Sequence, residues 1–163
     1  MTPLGHYSRR MRITHEPAGY VCPFCERLAG REPANPGDDI VRRTERAAAF
    51  VSPRWWPNNR GHVLVVPTAH HENLYTIPAE DHRAVGDLVQ QIAIAMRGVY
   101  GCDGVTTRQH NEPAGSQHVW HLHVHVFPRY EGDEFYRTQP LEEPATAAQR
   151  RVYAERLRAY FRA

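Results

Sequence analysis

The run His121-Leu122-His123-Val124-His125-Val126 constrains this chain more tightly than anything else in it. Side chains of an extended backbone alternate between faces. The pattern therefore predicts a strand with three imidazoles on one face and Trp120, Leu122, Val124 and Val126 on the other. Apolar residues suit a packed face, so one side reads as core and the other as chemistry. Alternate residues lie about 6 to 7 Å apart along a strand, so one substrate phosphate can touch two rings while the third serves another purpose. Three readings fit: a multi-histidine metal site, a nucleophile with its helpers, or a solvent-facing strand rich in histidine. The nucleophile has a defined chemistry, because a neutral imidazole can attack phosphorus while a second imidazole holds the developing charge.

The surrounding sequence narrows the class of protein. At 163 residues, 41% hydrophobic and 23% charged, the chain supports one domain with a core. A formal net charge of +2 with mixed signs makes no case for a nucleic-acid partner, and Arg42-Arg43 reads as a solvated face. An anionic small molecule is the better match. No stretch approaches the roughly 18 apolar residues of a membrane span. The N-terminus, with Ser8, Arg9, Arg10 and Arg12, lacks the apolar segment of a secretory signal. No membrane partner and a cytoplasmic location are the expectations. The cysteines Cys22, Cys25 and Cys102 make no disulfide framework.

Along the chain, residues 1–20 carry Pro, Gly and Arg without apolar periodicity and predict a flexible or loosely docked N-terminal arm. A short helix over Cys22 to Gly30 precedes a proline-rich loop, then a hairpin of strands at Asp39–Thr44 and Ala47–Ser52. The loop holding Trp55-Trp56 leads to a buried strand at His62–Val66. Val85, Leu88, Ile92, Met96 and Val99 form the apolar stripe of a long helix over Pro78 to Tyr100. Strands follow at Val105–His110 and His118–Arg129, separated by a small-residue loop. A last helix spans Thr146 to Phe161 and packs on the domain or on a partner subunit. Hairpin-like order with one long helix between strand pairs predicts an α+β fold with an antiparallel sheet of about five strands.

Cys22-Pro23-Phe24-Cys25 has the spacing that lets two thiolates share a tetrahedral zinc, two further ligands coming from elsewhere. A redox pair is the alternative, though the strand-to-helix context of a thioredoxin-like motif is missing.

His121-Leu122-His123-Val124-His125-Val126-Phe127 resembles the His-x-His-x-His signature of the histidine triad (HIT) superfamily of nucleotide hydrolases and transferases. Further motifs agree in type and order: Cys22-Pro23-Phe24-Cys25 with Leu28-Ala29-Gly30, Gly61-His62-Val63-Leu64-Val65-Val66-Pro67 with His70, and Phe127-Pro128-Arg129-Tyr130 with Gly132-Asp133. The resemblance implies a HIT-like fold over residues 21–135, with a short zinc-linked N-terminal helix, and leaves residues 136–163 as a C-terminal extension bearing a helix.

Carried over, the resemblance makes His123 the nucleophile that attacks the α-phosphorus, and His125 the ring that contacts the phosphate. It places His62 behind the site, orienting the nucleophilic ring, with a core histidine as the plain alternative. Asn111 and Gln117 match residues near the phosphate, and Phe24, Phe50 and the Trp55-Trp56 region match the base pocket; a turn-capping asparagine and a packed tryptophan loop are the plainer readings. Among zinc-containing bacterial members the matching ligands are Cys22, Cys25, His70 and His121, which implies a structural Zn2+ and no catalytic cofactor. A purine nucleotide substrate and a homodimer are implied as well.

Three positions depart from the family pattern. His118 replaces the Ser or Thr that assists the leaving group and could supply a proton in its place. Ser116 replaces a glycine, and Arg54 stands where many members have a ribose-contacting Asp or Asn. The expected activity is cleavage at the α-phosphate of a nucleoside phosphoramidate, an adenylylated compound or a dinucleoside polyphosphate. The competing expectations are a slow-turnover nucleotide-binding regulatory protein and a metalloenzyme using all three triad histidines as ligands.

Overall fold

Two runs of small and β-branched residues build the centre of the sheet. In the computed structural model, which describes residues 14–31 and 39–163, every residue of Ala47–Val51 (β2) and Val63–Pro67 (β3) is buried. Strands covered on both faces read as continuous apolar runs. The other strands are Ile40–Arg43 (β1), Gly104–Gln109 (β4) and Val124–Arg129 (β5), and all pairings are antiparallel in the order β1-β2-β3-β5-β4.

The two faces bury different partners. Ala47, Ala49, Val51, Val63, Val65 and Val126 share a core with Val85, Leu88, Ile92 and Met96 of helix α2, Ala79–Tyr100. Gly101 ends α2 in the left-handed conformation that favours glycine. Ala48, Phe50, Leu64 and Val66 face the other way, against Phe24 and Leu28 of the short helix α1, Pro23–Leu28. That second face carries the histidines.

Helix α3, Ala147–Arg162, starts in a capping box between Thr146 and Gln149 and places Ala154 and Leu157 in the α2 core. It packs on its own domain. Arg150 reaches through to Asp39, whose carboxylate also accepts from Arg27 of α1, at 2.7 and 3.1 Å. Tyr153 lies against Gly61, where a Cβ would stand 2.2 Å from the ring and the backbone has φ 77°. Glycine is required there on both counts.

One expectation changes. The histidine strand begins at Val124, not His118. Its pairing with β3 stops at Val65↔Val124, and before that point the Leu122 amide donates to the His71 carbonyl at 2.6 Å instead of to a neighbouring strand. Trp120 accordingly leaves the core face and stacks on His15, with ring centroids 5.4 Å apart. The part of the expected arm that is described, residues 14–20, is docked. Thr14 and the His15 amide bond Glu72, and the Tyr20 hydroxyl accepts from the Trp120 amide at 3.1 Å. Residues 1–13 lie outside the described residues.

Candidate active site and metal centre

Helix α1 delivers two thiols to one place because Cys22 is its N-cap, the sulfur accepting from the Cys25 amide at 3.4 Å. His70, beyond β3, and His121, ahead of β5, close the cluster. The Cys22 sulfur lies 3.3 Å from His121 Nδ1, and the Cys25 sulfur lies 3.4 Å from His70 Nδ1 and 3.6 Å from His121 Nδ1. All four donor atoms fall within 4.8 Å of one another. A tetrahedral zinc with bonds of about 2.0 to 2.3 Å sets its donors about 3.3 to 3.8 Å apart, so this donor set fits. The remaining ring nitrogens also fit. His121 Nε2 donates to the Pro67 carbonyl at 3.0 Å and His70 Nε2 to Glu16 at 2.6 Å, leaving each Nδ1 lone pair turned to the sulfurs. Burial, and next the facing Cys22 sulfur, pushes the Cys25 thiol up to about 12. A coordinated cation reverses that preference, because a metal-bound thiol gives up its proton.

Two residues on, the same ring type is held by its other nitrogen. His123 Nδ1 lies 2.7 Å from the His121 carbonyl, which can only accept, so Nδ1 carries the proton and Nε2 keeps its lone pair. Burial lowers the pKa of His123 below the usual histidine value, keeping the ring neutral. Phe24 meets His123 edge-on at 5.3 Å, and His125 follows at 5.0 Å.

His125 Nδ1 faces His62 Nε2 at 3.3 Å, and His62 Nδ1 has no partner among the described residues. A neutral imidazole has one N–H. Were it on His62 Nδ1, a buried donor would be orphaned, a costlier state than an orphaned acceptor. The proton therefore belongs on His62 Nε2, donating to His125 Nδ1, which puts the His125 proton on Nε2. Burial pushes His62 down to about 3 and His125 well below the usual value, so both rings are neutral. His123 and His125 thus present opposite polarity, a lone pair beside an N–H. His62, expected to orient the His123 ring, bonds His125 in the structure, and the carbonyl of His121 holds His123.

Other expected residues are occupied by the fold. Gln117 is buried, donates to the carbonyls of Glu72 and Val119 at 2.6 and 3.0 Å, and accepts from the Glu112 amide at 2.9 Å. Asn111 accepts from the Leu74 amide and exchanges hydrogen bonds with the side chain of Gln109. Both side chains tie down the loop before the triad. Phe50 has no exposed surface, lying under Phe24 at 5.3 Å and the Arg27 guanidinium at 4.8 Å. Trp55 packs on Tyr153 of α3, and Trp56 on Phe127 and Phe135. His118 is exposed and acts on His123 through charge.

Two neighbours of the triad were not singled out in the sequence. His110 has its ring 5.8 Å from that of His125 and donates from Nδ1 to the Gly115 carbonyl at 2.7 Å. Arg108 pairs with His125 across β4 and β5. Only strand pairing reveals them; the one local signal was the position of His110 at the end of a predicted strand.

Comparison with known proteins agrees with this geometry. Residues 34–132 match the HIT domain. A HIT-like protein of Methanocaldococcus jannaschii, itself uncharacterized, is 33% identical over 113 residues, covering 69% of this chain and 82% of that protein. The chain belongs to the HIT family. A zinc-bound histidine triad family protein from Mycobacterium smegmatis superposes with a TM-score of 0.71 at 29% identity, covering 86% of this HIT chain and 93% of the other. A more distant relative, the adenylylsulfatase HINT3 of Arabidopsis thaliana, is 26% identical over 120 residues, 74% of this chain and 58% of that protein. The family binds nucleotides and includes nucleotide hydrolases. The Cys22, Cys25, His70 and His121 cluster and the zinc-bound relative both point to a zinc site in this HIT protein.

Proposed function

We propose that this HIT protein is a nucleotide hydrolase or nucleotidyltransferase acting at the α-phosphate of a nucleoside phosphoramidate, an adenylylated compound or a dinucleoside polyphosphate. The observation that carries this reading is the tautomer of His123, neutral and pinned at Nδ1, with Nε2 beside the N–H offered by His125. Nε2 attacks the α-phosphorus, and the bond to the leaving group breaks with its electron pair on that group. A phosphoramidate-type nucleotidyl-histidine results. Water then attacks phosphorus, the P–N bond breaks, and a nucleoside monophosphate leaves as the ring regains its neutral state. His125 Nε2 donates to the phosphoryl oxygen as charge develops. An amine leaving group needs a proton, for which the sequence offers His118 and the triad's ring neighbours offer His110.

Cys22, Cys25, His70 and His121 would hold the zinc, which supplies a cross-link between α1, the end of β3 and the triad rather than a reacting group. Among the described residues no helix is long and apolar enough to cross a membrane. A purine nucleotide, a cytoplasmic setting and a homodimer complete the reading.

The test is intact-protein mass spectrometry after a rapid acid-free quench with adenosine 5′-phosphoramidate or a diadenosine polyphosphate. Wild type gains one AMP unit transiently and His123→Ala does not. Saturable nucleotide binding with neither adduct nor AMP release would instead support a slow-turnover binder, the second reading, which the engagement of Asn111 and Gln117 within the protein favours.

A further inference from the structure

Two arginines face one aromatic ring beside the triad, and only one of them has a counter-charge. The Arg129 guanidinium lies 4.5 Å from the centroid of Phe135 and the Arg108 guanidinium 4.3 Å. Arg129 is fully engaged, bidentate with Asp133 at 2.7 and 2.8 Å and bonded to the Thr106 hydroxyl at 2.9 Å. Arg108 has aromatic neighbours, Phe135, Tyr136 at 5.3 Å and Phe127 at 5.5 Å, and no carboxylate partner among the described residues. A guanidinium stacked on a ring keeps its in-plane N–H donors pointing outward, in the fork that suits an oxyanion.

Its position gives that spare charge a use. Arg108 is directly opposite His125 in the antiparallel register, and opposed residues project to the same face of a sheet. Its charge also contributes to the lowered pKa values of His125 and His62. The reacting ring, His123, meets uncharged Phe24 on its other flank at 5.3 Å. The triad therefore stands between an aromatic flank and a cationic one.

We infer that Arg108 anchors an anionic leaving group, so that this protein prefers substrates in which the nucleotidyl group is joined to a phosphate or sulfate over those in which it is joined to an amine. This rests on the nucleotidyl-transfer reading above. When His123 Nε2 bonds to the α-phosphorus, the phosphorus–oxygen bond to the leaving group breaks and the electron pair goes to the bridging oxygen. The departing oxyanion pairs with Arg108 and needs no proton. An amine leaving group gains nothing from a guanidinium.

The experiment compares kcat/KM of wild type, Arg108→Gln and Arg108→Lys on three substrates: a diadenosine triphosphate, adenylyl sulfate and adenosine 5′-phosphoramidate. The expected result is a loss of about 10- to 100-fold for Arg108→Gln on the first two, partial recovery in Arg108→Lys, and a change within about twofold on the phosphoramidate. Loss on the triphosphate alone assigns the site to phosphate, and loss on both extends it to sulfate. The ratio between substrates is independent of the fraction of protein folded. Equal losses on all three, or none on any, overturn the Arg108 assignment and leave nucleotidyl transfer standing. No AMP from any substrate with wild type overturns both.

Discussion

His121 and His123 are two residues apart, both buried, both tied to a backbone carbonyl, and opposite in what they offer. His121 is bonded through Nε2 to Pro67 and turns Nδ1 to two thiols. His123 is bonded through Nδ1 to His121 and leaves Nε2 free. The carbonyl that captures one nitrogen decides what the other can offer: bonding at Nε2 turns the Nδ1 lone pair of His121 toward the thiols, and bonding at Nδ1 leaves the lone pair of His123 on Nε2, which suits the ligand and nucleophile roles proposed above. His62 and His125 extend the same logic, the buried His62 ring donating from Nε2 to His125 Nδ1 and so setting the His125 N–H at Nε2.

The sharpest way to break this comparison is to remove each ring's function separately. His123→Ala is expected to lower turnover about 10³-fold or more while zinc content and melting temperature hold; elemental analysis with thermal denaturation checks that the loss is chemical. Cys22→Ala should do the converse, losing zinc and lowering Tm by about 10 °C or more, corresponding to several kcal/mol in a chain of this size. If Cys22→Ala keeps its stability, the cluster is not the structural half of the pair.

The proton donor for an amine leaving group separates two further imidazoles. His110→Ala is expected to slow phosphoramidate cleavage by about 10- to 100-fold and His118→Ala by less than about threefold. The reverse order would return the role to the residue marked by the sequence.

His62 gives a pH prediction with a definite sign. Its folded pKa of about 3 lies below the ordinary histidine value of about 6.5, so its stabilising contribution is complete above pH 6.5 and is lost as pH falls toward 3. The slope is up to about 1.4 kcal/mol per pH unit. Between pH 6.5 and pH 5, denaturant unfolding should show wild type losing about 1.6 kcal/mol more stability than His62→Ala.

The smallest effect lies in the loop before the triad. Ser116 adopts φ 67°, the left-handed region in which glycine is free of strain, so Ser116→Gly should stabilise by about 0.5 to 1 kcal/mol. A change of the opposite sign in chemical denaturation would show that the serine hydroxyl holds the loop.

Much of this molecule was legible in the chain itself. The apolar stripe from Val85 to Met96, the all-apolar strands at Ala47–Val51 and Val63–Val66, and the pairing of Cys22 with Cys25 follow from periodicity and motif spacing, because those signals are local; His70 and His121 joined the cysteines only through the family resemblance. Tertiary structure alone decided which nitrogen of each histidine is free, since the carbonyls of Pro67 and His121 and the ring of His62 reach them only in the folded chain. It also withdrew Phe50, Asn111 and Gln117 into packing and loop bonds that no spacing announces. Strand register set Arg108 opposite His125, and the chain just past β4 brought the His110 ring within 5.8 Å of the same histidine, neither of which residue spacing gives. Residue type and spacing set which groups are available for chemistry; the long-range contacts set their protonation, direction and counter-charge.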